Sequence, residues 1–192
     1  MQVISVFGSS RPEPGHPDYE TAYQLGRQLA QAGFAVATGG YIGTMTAVSK
    51  GAAGTGGQVI GVTCDEIEAW RPVGPNEWIT REIRYRTLWE RVIHLVTQND
   101  GIVALPGGIG TLAEVALAWS QLQTGAMPPR PFLLFSDFWQ SALDALINSS
   151  DVGETDRQLL CFAATPSEVV AHLRRRVGDR GRESLSHDQD NP

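Results

Sequence analysis

The sequence predicts a doubly wound α/β fold, with one domain built on a mainly parallel sheet. Short apolar runs typical of buried strands alternate with stretches whose apolar residues recur at helical spacing. Such alternation is typical of βαβ units with right-handed crossovers. The 192 residues, 42% hydrophobic and 19% charged, suffice for one globular domain with a substantial core.

Three strands with their loops and helices fill the first part of the chain. Val3 to Phe7 predicts a strand, and Tyr19 to Ala32 carries apolar residues at helical spacing. Phe34 to Thr38 predicts the second strand, Thr44 to Ala53 a helix rich in small residues, and Val59 to Val62 the third strand. This order predicts neighbouring parallel strands joined by helices.

The middle of the chain is less regular. Cys64 to Asn76 is interpreted as a polar connection, and Trp78 to Ile83 alternates weakly, as a further strand would. Arg86 to Thr97 predicts a helix. Gly101 to Leu105 then predicts a buried strand, and Leu112 to Leu122 predicts the helix that follows it.

The carboxyl-terminal part predicts two more strands, two helices and a tail. The strands are Phe132 to Phe135 and Cys161 to Ala163, and Trp139 to Ile147 is the first helix. Thr165-Pro-Ser-Glu168 matches a capping box with proline in the first turn, which predicts a helix from Pro166 to Val177. The predicted domain therefore covers residues 1–178, and the polar segment 179–192 is expected to be a disordered tail.

A glycine-rich turn between the strand at Gly101 and the next helix is the clearest functional signal. It reads Leu105-Pro-Gly-Gly-Ile-Gly-Thr-Leu-Ala-Glu114. Glycines at this point leave backbone N–H groups free at the positive end of a helix, which suits a phosphate group. The alternative is a tight turn without a ligand, but three glycines exceed what a turn needs.

Two other glycine loops follow predicted strands, Gly8-Ser-Ser10 and Gly39-Gly-Tyr-Ile-Gly43. Doubly wound sheets bind ligands outside the carboxyl ends of their strands, so the three loops are expected to share one crevice. The alternative is that these glycines only allow helices to pack tightly on the sheet. The residues assigned to phosphate and nucleotide binding are Gly8, Ser9, Ser10, Gly39, Gly40, Gly43, Pro106, Gly107, Gly108, Gly110 and Thr111.

Composition excludes several other functions. The net charge of −6 disfavours nucleic acid as a partner. The chain starts directly with a strand pattern and has no apolar stretch that could cross a membrane, so we expect neither signal peptide nor membrane association.

Cys64 and Cys161 are expected to be reduced thiols of a cytoplasmic protein. The four histidines show no ligand spacing, so no metal is expected.

Four segments, in this order, resemble the LOG family. They are Val6-Phe-Gly-Ser-Ser10, Ala37-Thr-Gly-Gly40 with Gly43 and Met45, Gly57-Gln-Val-Ile-Gly61, and Pro106-Gly-Gly-Ile-Gly-Thr-Leu-Ala-Glu114. The family, long labelled "possible lysine decarboxylase", contains nucleoside 5′-monophosphate phosphoribohydrolases, including enzymes that release cytokinin bases. The resemblance implies a Rossmann-like fold and a homodimer. Relatives without demonstrated hydrolysis bind nucleotides or carry molybdenum cofactor.

The resemblance also implies a catalytic pair. The glutamate that ends the motif is Glu114, and the family spacing of 23 positions reaches Arg91. The chain departs from the family at Val92, where classical members have lysine, and at Leu88-Trp89, where they have Met-His. These departures indicate a divergent branch, near the molybdenum-cofactor carriers.

Both residues also have simpler interpretations. Thr111-Leu-Ala-Glu114 matches a capping box, in which Glu114 would only cap its helix. Arg91 could be a solvent-exposed arginine paired with a local acid such as Glu90. In the functional interpretation, Glu114 holds the ribose and supports positive charge at C1′, while Arg91 orders the ligand or assists base departure.

The leading hypothesis is a phosphoribohydrolase that cleaves a nucleoside 5′-monophosphate without metal or cofactor. The alternative is a non-catalytic nucleotide sensor or molybdenum-cofactor carrier of the same fold. Lysine decarboxylation would need pyridoxal phosphate on a Schiff-base lysine. The only lysine, Lys50, is not near the predicted phosphate loop, which is the glycine-rich turn that follows the strand at Gly101. A dinucleotide reductase is disfavoured because no G-x-G-x-x-G follows the first strand.

Overall fold

A computed structural model describes residues 1–175 and contains one seven-stranded sheet. Every strand pairs in parallel with its neighbours, in the order β4-β3-β2-β1-β5-β6-β7. The doubly wound, parallel α/β fold predicted from the sequence is therefore confirmed. The strands are β1 Val3–Phe7, β2 Ala35–Thr38, β3 Val59–Cys64, β4 Arg81–Tyr85, β5 Gly101–Ala104, β6 Phe132–Phe135 and β7 Cys161–Ala163.

Eight helices flank this sheet within residues 1–175. They are α1 Pro17–Gln31, α2 Thr44–Ala53, α3 Asp65–Trp70, α4 Leu88–Thr97, α5 Ile109–Gln123, α6 Ser136–Ile147, α7 Glu154–Arg157 and α8 over 166–175. The predicted end of α8 at Val177, the domain end at 178 and the tail 179–192 lie outside the described residues. No helix in the described part combines the length and apolarity needed to cross a membrane.

Several predicted boundaries were wrong for identifiable reasons. The supposed polar connection begins inside β3 and contains the short helix α3. Helix α4 begins at Leu88 rather than Arg86, because Thr87 and Glu90 form a capping box at its start. The weakly alternating strand lies at Arg81–Tyr85, and α7 had no periodic signal because it has only four residues.

The order in which the chain adds strands to the sheet reverses at β1. Strands β2, β3 and β4 lie on one side of it, and β5, β6 and β7 lie on the other. Strand β1 pairs with β2 through Val3↔Ala35 and with β5 through Ile4↔Gly101. Since all three strands are parallel, their carboxyl ends meet at the same edge, which is the switch point where such folds bind ligands. The loops after β1, β2 and β5 are the three glycine loops.

Close packing of α1 on α2 explains the small residues of α2. A Cβ atom on Gly26 would collide with the backbone carbonyl of Val48, and one on Gly51 would collide with the carbonyl of Tyr23. The two helices therefore approach each other to backbone distance on one face of the sheet. This packing fixes the position of the loop that leads from β2 into α2.

Candidate active site

The first two glycine loops bind each other directly. Both the backbone N–H and the Oγ1 of Thr44 donate hydrogen bonds to the Ser9 carbonyl, at 2.8 and 3.0 Å. Gly43 has φ +73°, and a Cβ atom there would collide with the backbone of Ser9 and Ser10. Only glycine satisfies both conditions, so the contact between these loops requires it.

The third loop adjoins the first. A Cβ atom on Gly8 would lie 3.3 Å from the Leu105 side chain, at the start of the phosphate-loop motif. Gly107 packs against the Thr111 side chain, while Gly108 and Gly110 are exposed. The predicted convergence of the three loops on one edge of the sheet is thus present in the structure.

Helix α5 begins at this loop with free backbone donors. Gly108 is the N-cap residue, and no side chain accepts a hydrogen bond from the first turn. The first N–H groups of a helix have no partner within the helix, so those of α5 remain available to an anion. Thr111, which is buried, lies on the inner side of the same turn.

Arg91 is buried, with 5% of its surface exposed. Its Nε donates to the Val62 carbonyl at 2.8 Å, and its Nη2 donates to the Gly39 carbonyl at 3.1 Å. The interpretation of Arg91 as a solvent-exposed residue paired with Glu90 is wrong, because Glu90 is occupied in the capping box of α4. Instead, two backbone carbonyls fix the guanidinium beneath the second glycine loop.

Glu114 faces Arg91 across the interior of the site. Its Oε1 lies 3.9 Å from Arg91 Nη1, and 8% of its surface is exposed. The capping-box interpretation is wrong, since α5 begins at Ile109 and places Glu114 in the second turn. Among the hydrogen bonds of residues 1–175, none is made by the Glu114 carboxylate.

Burial determines the protonation of Glu114. Loss of hydration raises the pKa of its carboxyl group to about 7, and the positive charge of Arg91 opposes this rise. The group therefore changes charge near neutral pH. A buried titratable carboxylate without a hydrogen bond, beside a fixed guanidinium, is typical of functional sites.

The glycines after β2 have structural tasks of their own. The Gly39 carbonyl accepts from Arg91, and Gly40 donates its N–H to Thr38 Oγ1 at 3.1 Å. The Gly40 carbonyl accepts from the backbone and side chain of Asn76. These bonds fit the packing interpretation of the two residues and fix the position of Arg91, while their part in ligand binding stays a prediction.

Sequence reasoning missed Tyr41 and Arg71. The Tyr41 ring lies 5.7 Å from the Arg91 guanidinium carbon, and its hydroxyl bonds both the N–H and the carbonyl of Cys64. Arg71 Nη1 donates to Ser10 Oγ at 3.2 Å, across 61 residues of chain. No local pattern marks either residue, because both depend on contacts between distant loops.

The cysteines are free, as expected, with Cys64 buried and Cys161 half-buried. In the part of the chain that the structure describes, no group of three or more His, Cys, Asp or Glu side chains could hold a metal ion.

The parallel sheet, with three glycine loops at its topological switch point, defines a Rossmann-like α/β protein, a class whose members bind ligands at this edge of the sheet. The chain belongs to the SLOG cluster4 family, whose model matches residues 1–125. The resemblance to the LOG family found in the glycine motifs is thereby confirmed.

Relatives of two kinds are similar to this chain. A protein of Oryza sativa subsp. japonica, named "Probable cytokinin riboside 5′-monophosphate phosphoribohydrolase", is 30% identical over 185 residues, covering 88% of this chain and 70% of the relative. The molybdenum cofactor binding protein of Rippkaea orientalis is 25% identical, with a TM-score of 0.71 over 91% of this chain and 96% of that one. The molybdenum cofactor carrier protein of Chlamydomonas reinhardtii gives the same identity, TM-score and coverage.

Proposed function

We propose that this protein is a nucleoside 5′-monophosphate phosphoribohydrolase. The observation that carries the proposal is the buried pair of Arg91 and Glu114 beside three converging glycine loops. In the proposed reaction the bond between C1′ and the base nitrogen breaks, and the oxygen of water bonds to C1′. The two protons of water are shared between the new hydroxyl group and the base. The products are a free base and ribose 5-phosphate.

The phosphate would bind at the amino terminus of α5. Exposed Gly108 and Gly110 allow a phosphate to approach the free N–H groups of the first turn, and Pro106 and Gly107 shape the turn that leads there. Thr111 would contribute its hydroxyl from the same turn. Gly8, Ser9 and Ser10 would line the opposite side of the crevice, in a loop against which Gly43 packs closely.

Glu114 would act in its ionised form. Cleavage of an N-glycosidic bond passes through a state with positive charge near C1′, and a carboxylate in a shielded site stabilises that charge strongly. Arg91 has the complementary task. Its Nε and Nη2 are bound to backbone carbonyls, so Nη1 stays directed at Glu114 and keeps the carboxylate in place for the ligand.

Val92 and the similarity of this chain to two molybdenum cofactor proteins favour a second function. Classical LOG enzymes have lysine at this position, whereas Val92 is half-buried and packs against the apolar core. The two similar molybdenum cofactor proteins match nine-tenths of this chain. The alternative proposal is therefore a non-catalytic carrier or sensor that binds a nucleotide or molybdenum cofactor at the same loops.

We also propose a cytoplasmic homodimer. Helices α4 and α5 expose large apolar side chains, with Leu88 44%, Trp89 65%, Ile109 87% and Leu112 44% exposed. A second copy covering this surface would remove it from water. Light scattering should give twice the monomer mass for the parent protein. The variant Leu112→Asp should give a lower mass, closer to that of the monomer. A monomer at all concentrations would contradict the dimer.

The test of function is incubation of the purified protein with nucleoside 5′-monophosphates, with measurement of free base and ribose 5-phosphate. We expect both products in equal amounts, and at least a hundredfold less from Glu114→Gln. Stoichiometric nucleotide binding without products would contradict hydrolysis and favour the sensor. Tight binding of molybdenum cofactor alone would favour the carrier.

A further inference from the structure

We propose that Arg71, supported by Trp70, recognises the base of the ligand and selects a 6-oxopurine such as guanine or hypoxanthine. This inference rests on the proposed function for the positions of the phosphate and of C1′. It concerns two residues at the end of α3, outside the family motifs and the glycine loops.

The guanidinium of Arg71 is held in place but is not neutralised. Its Nη1 donates to Ser10 Oγ at 3.2 Å, and its central carbon lies 4.9 Å from the centre of the Trp70 ring. In residues 1–175 no carboxylate lies within ion-pair distance of Arg71. A half-buried arginine without a counter-charge, in a protein of net charge −6, retains donors for a ligand.

Arg71 differs in this respect from Arg91 and Arg84. Arg91 faces Glu114, and Arg84 binds Asp65 and Glu68 directly. Both are therefore compensated by acids. One hydrogen bond of Arg71 leaves four of its five N–H donors without a hydrogen bond to the protein in the described part of the chain, in the planar arrangement that suits two adjacent acceptors.

The order of the strands assigns Arg71 to the base. The phosphate loop follows β5, Arg91 is bound to Gly39 after β2, and Arg71 lies beyond the end of β3. Because β5, β1, β2 and β3 are neighbours at about 4.8 Å spacing, the backbone of Arg71 lies three strands from the phosphate loop, and its side chain reaches back to Ser10 after β1. With the phosphate at the start of α5 and C1′ near Glu114, the base would extend away from the phosphate loop toward this guanidinium.

Arginine distinguishes the purines by their edges. Guanine and hypoxanthine present two acceptors, O6 and N7, which match two donors of one guanidinium. Adenine presents N7 beside an amino group, which is itself a donor, so one of the two bonds is lost. Trp70, with 76% of its surface exposed, adds an aromatic ring at the same place, where a base can stack.

The test is calorimetric binding of GMP, IMP, AMP and ribose 5-phosphate to the Glu114→Gln protein, in which turnover does not interfere. We expect GMP and IMP to bind about tenfold more tightly than AMP, within the range that a bidentate contact provides. Adding Arg71→Ala should remove this difference and leave ribose 5-phosphate binding unchanged. Adding Arg27→Ala, an exposed arginine on α1, removes the same charge and should preserve the preference.

Three results would overturn the inference. Equal binding of AMP and GMP would show that Arg71 does not select the base. A loss of ribose 5-phosphate binding in Arg71→Ala, with Arg27→Ala unaffected, would make Arg71 a phosphate ligand. An altered thermal unfolding temperature in Arg71→Ala with preference intact would make it structural. Hydrolysis is measured separately, so a base preference without product release would contradict the proposed function alone.

Discussion

The carboxylate of Glu114 lies 3.9 Å from the guanidinium of Arg91, and both side chains are buried. The arginine is bound to the carbonyls of Val62 and Gly39, whereas the glutamate has no hydrogen bond to the described residues. The protein therefore fixes the cation by hydrogen bonds and holds the acid through its ion pair with that cation. This asymmetry leads to the predictions below.

Activity should depend on pH through Glu114. Burial raises the pKa of its carboxyl group to about 7 in the free protein, and the proposed role needs the ionised form. We expect kcat/KM to rise with pH, reaching half of its maximum near pH 7. A full profile of kcat/KM measures this. An acid limb near the ordinary glutamate pKa would show that the buried carboxyl is not the group that controls the rate.

The same carboxyl group should make stability depend on pH. Its folded pKa is raised above the ordinary value of 4.5, so between about pH 4.5 and 7 the folded protein holds a proton that the unfolded chain has released. The free energy of unfolding then falls as pH rises through this window, by up to about 3 kcal/mol. Urea unfolding at pH 5 and pH 8 measures it. The Glu114→Gln protein should lose this fall, and an equal fall in both proteins would contradict the assignment.

Replacement of Arg91 should damage the fold as well as the site. Arg91→Met leaves the carbonyls of Val62 and Gly39 without their donors and Glu114 without its counter-charge, which we expect to cost about 3 kcal/mol of unfolding free energy. Urea titration measures the loss. Glu90→Gln, one position away on the surface, should cost less than about 1 kcal/mol. Similar losses from both variants would show that the buried contacts of Arg91 are weak.

Gly39→Ala should disturb the site through Arg91. The added Cβ would collide with Arg91 Nη2 and press on Met45 Sδ, so the guanidinium must move away from its place. We expect at least a tenfold loss of kcat/KM, together with lower thermal stability. Gly153→Ala is the matched control, because its Cβ meets only ordinary contacts at the start of α7. Unchanged activity in Gly39→Ala would mean that the position of Arg91 does not matter.

Gly26→Ala should weaken the core without altering the site chemistry. The new methyl group would meet the Val48 carbonyl and force α1 away from α2, at a cost of about 1 to 3 kcal/mol. Gln24→Ala, exposed on the same helix, should stay within about 0.5 kcal/mol of the parent protein. Urea unfolding compares the two. Equal stability of both variants would contradict the close approach of the helices.

Local patterns were sufficient to predict most of the fold. Buried parallel strands are continuous apolar runs, so β1, β6 and β7 were predicted at their observed limits, as was α2. Elements without a period failed, since α3 and α7 are too short to repeat an apolar pattern. The glycine loops were predicted because tight turns require glycine at particular positions, and this requirement is visible in the local sequence.

The amino-acid sequence by itself determined the fold class and the three loops. Through the family resemblance it also predicted Arg91 and Glu114 as the candidate catalytic pair. Only the tertiary structure decided that these two side chains are buried and face each other. The partners of Arg91 lie 29 and 52 residues away along the chain, and Ser10 meets Arg71 across 61 residues. Burial, ion pairing and a raised pKa depend on distances between such remote segments, and those distances exist only after the sheet has assembled.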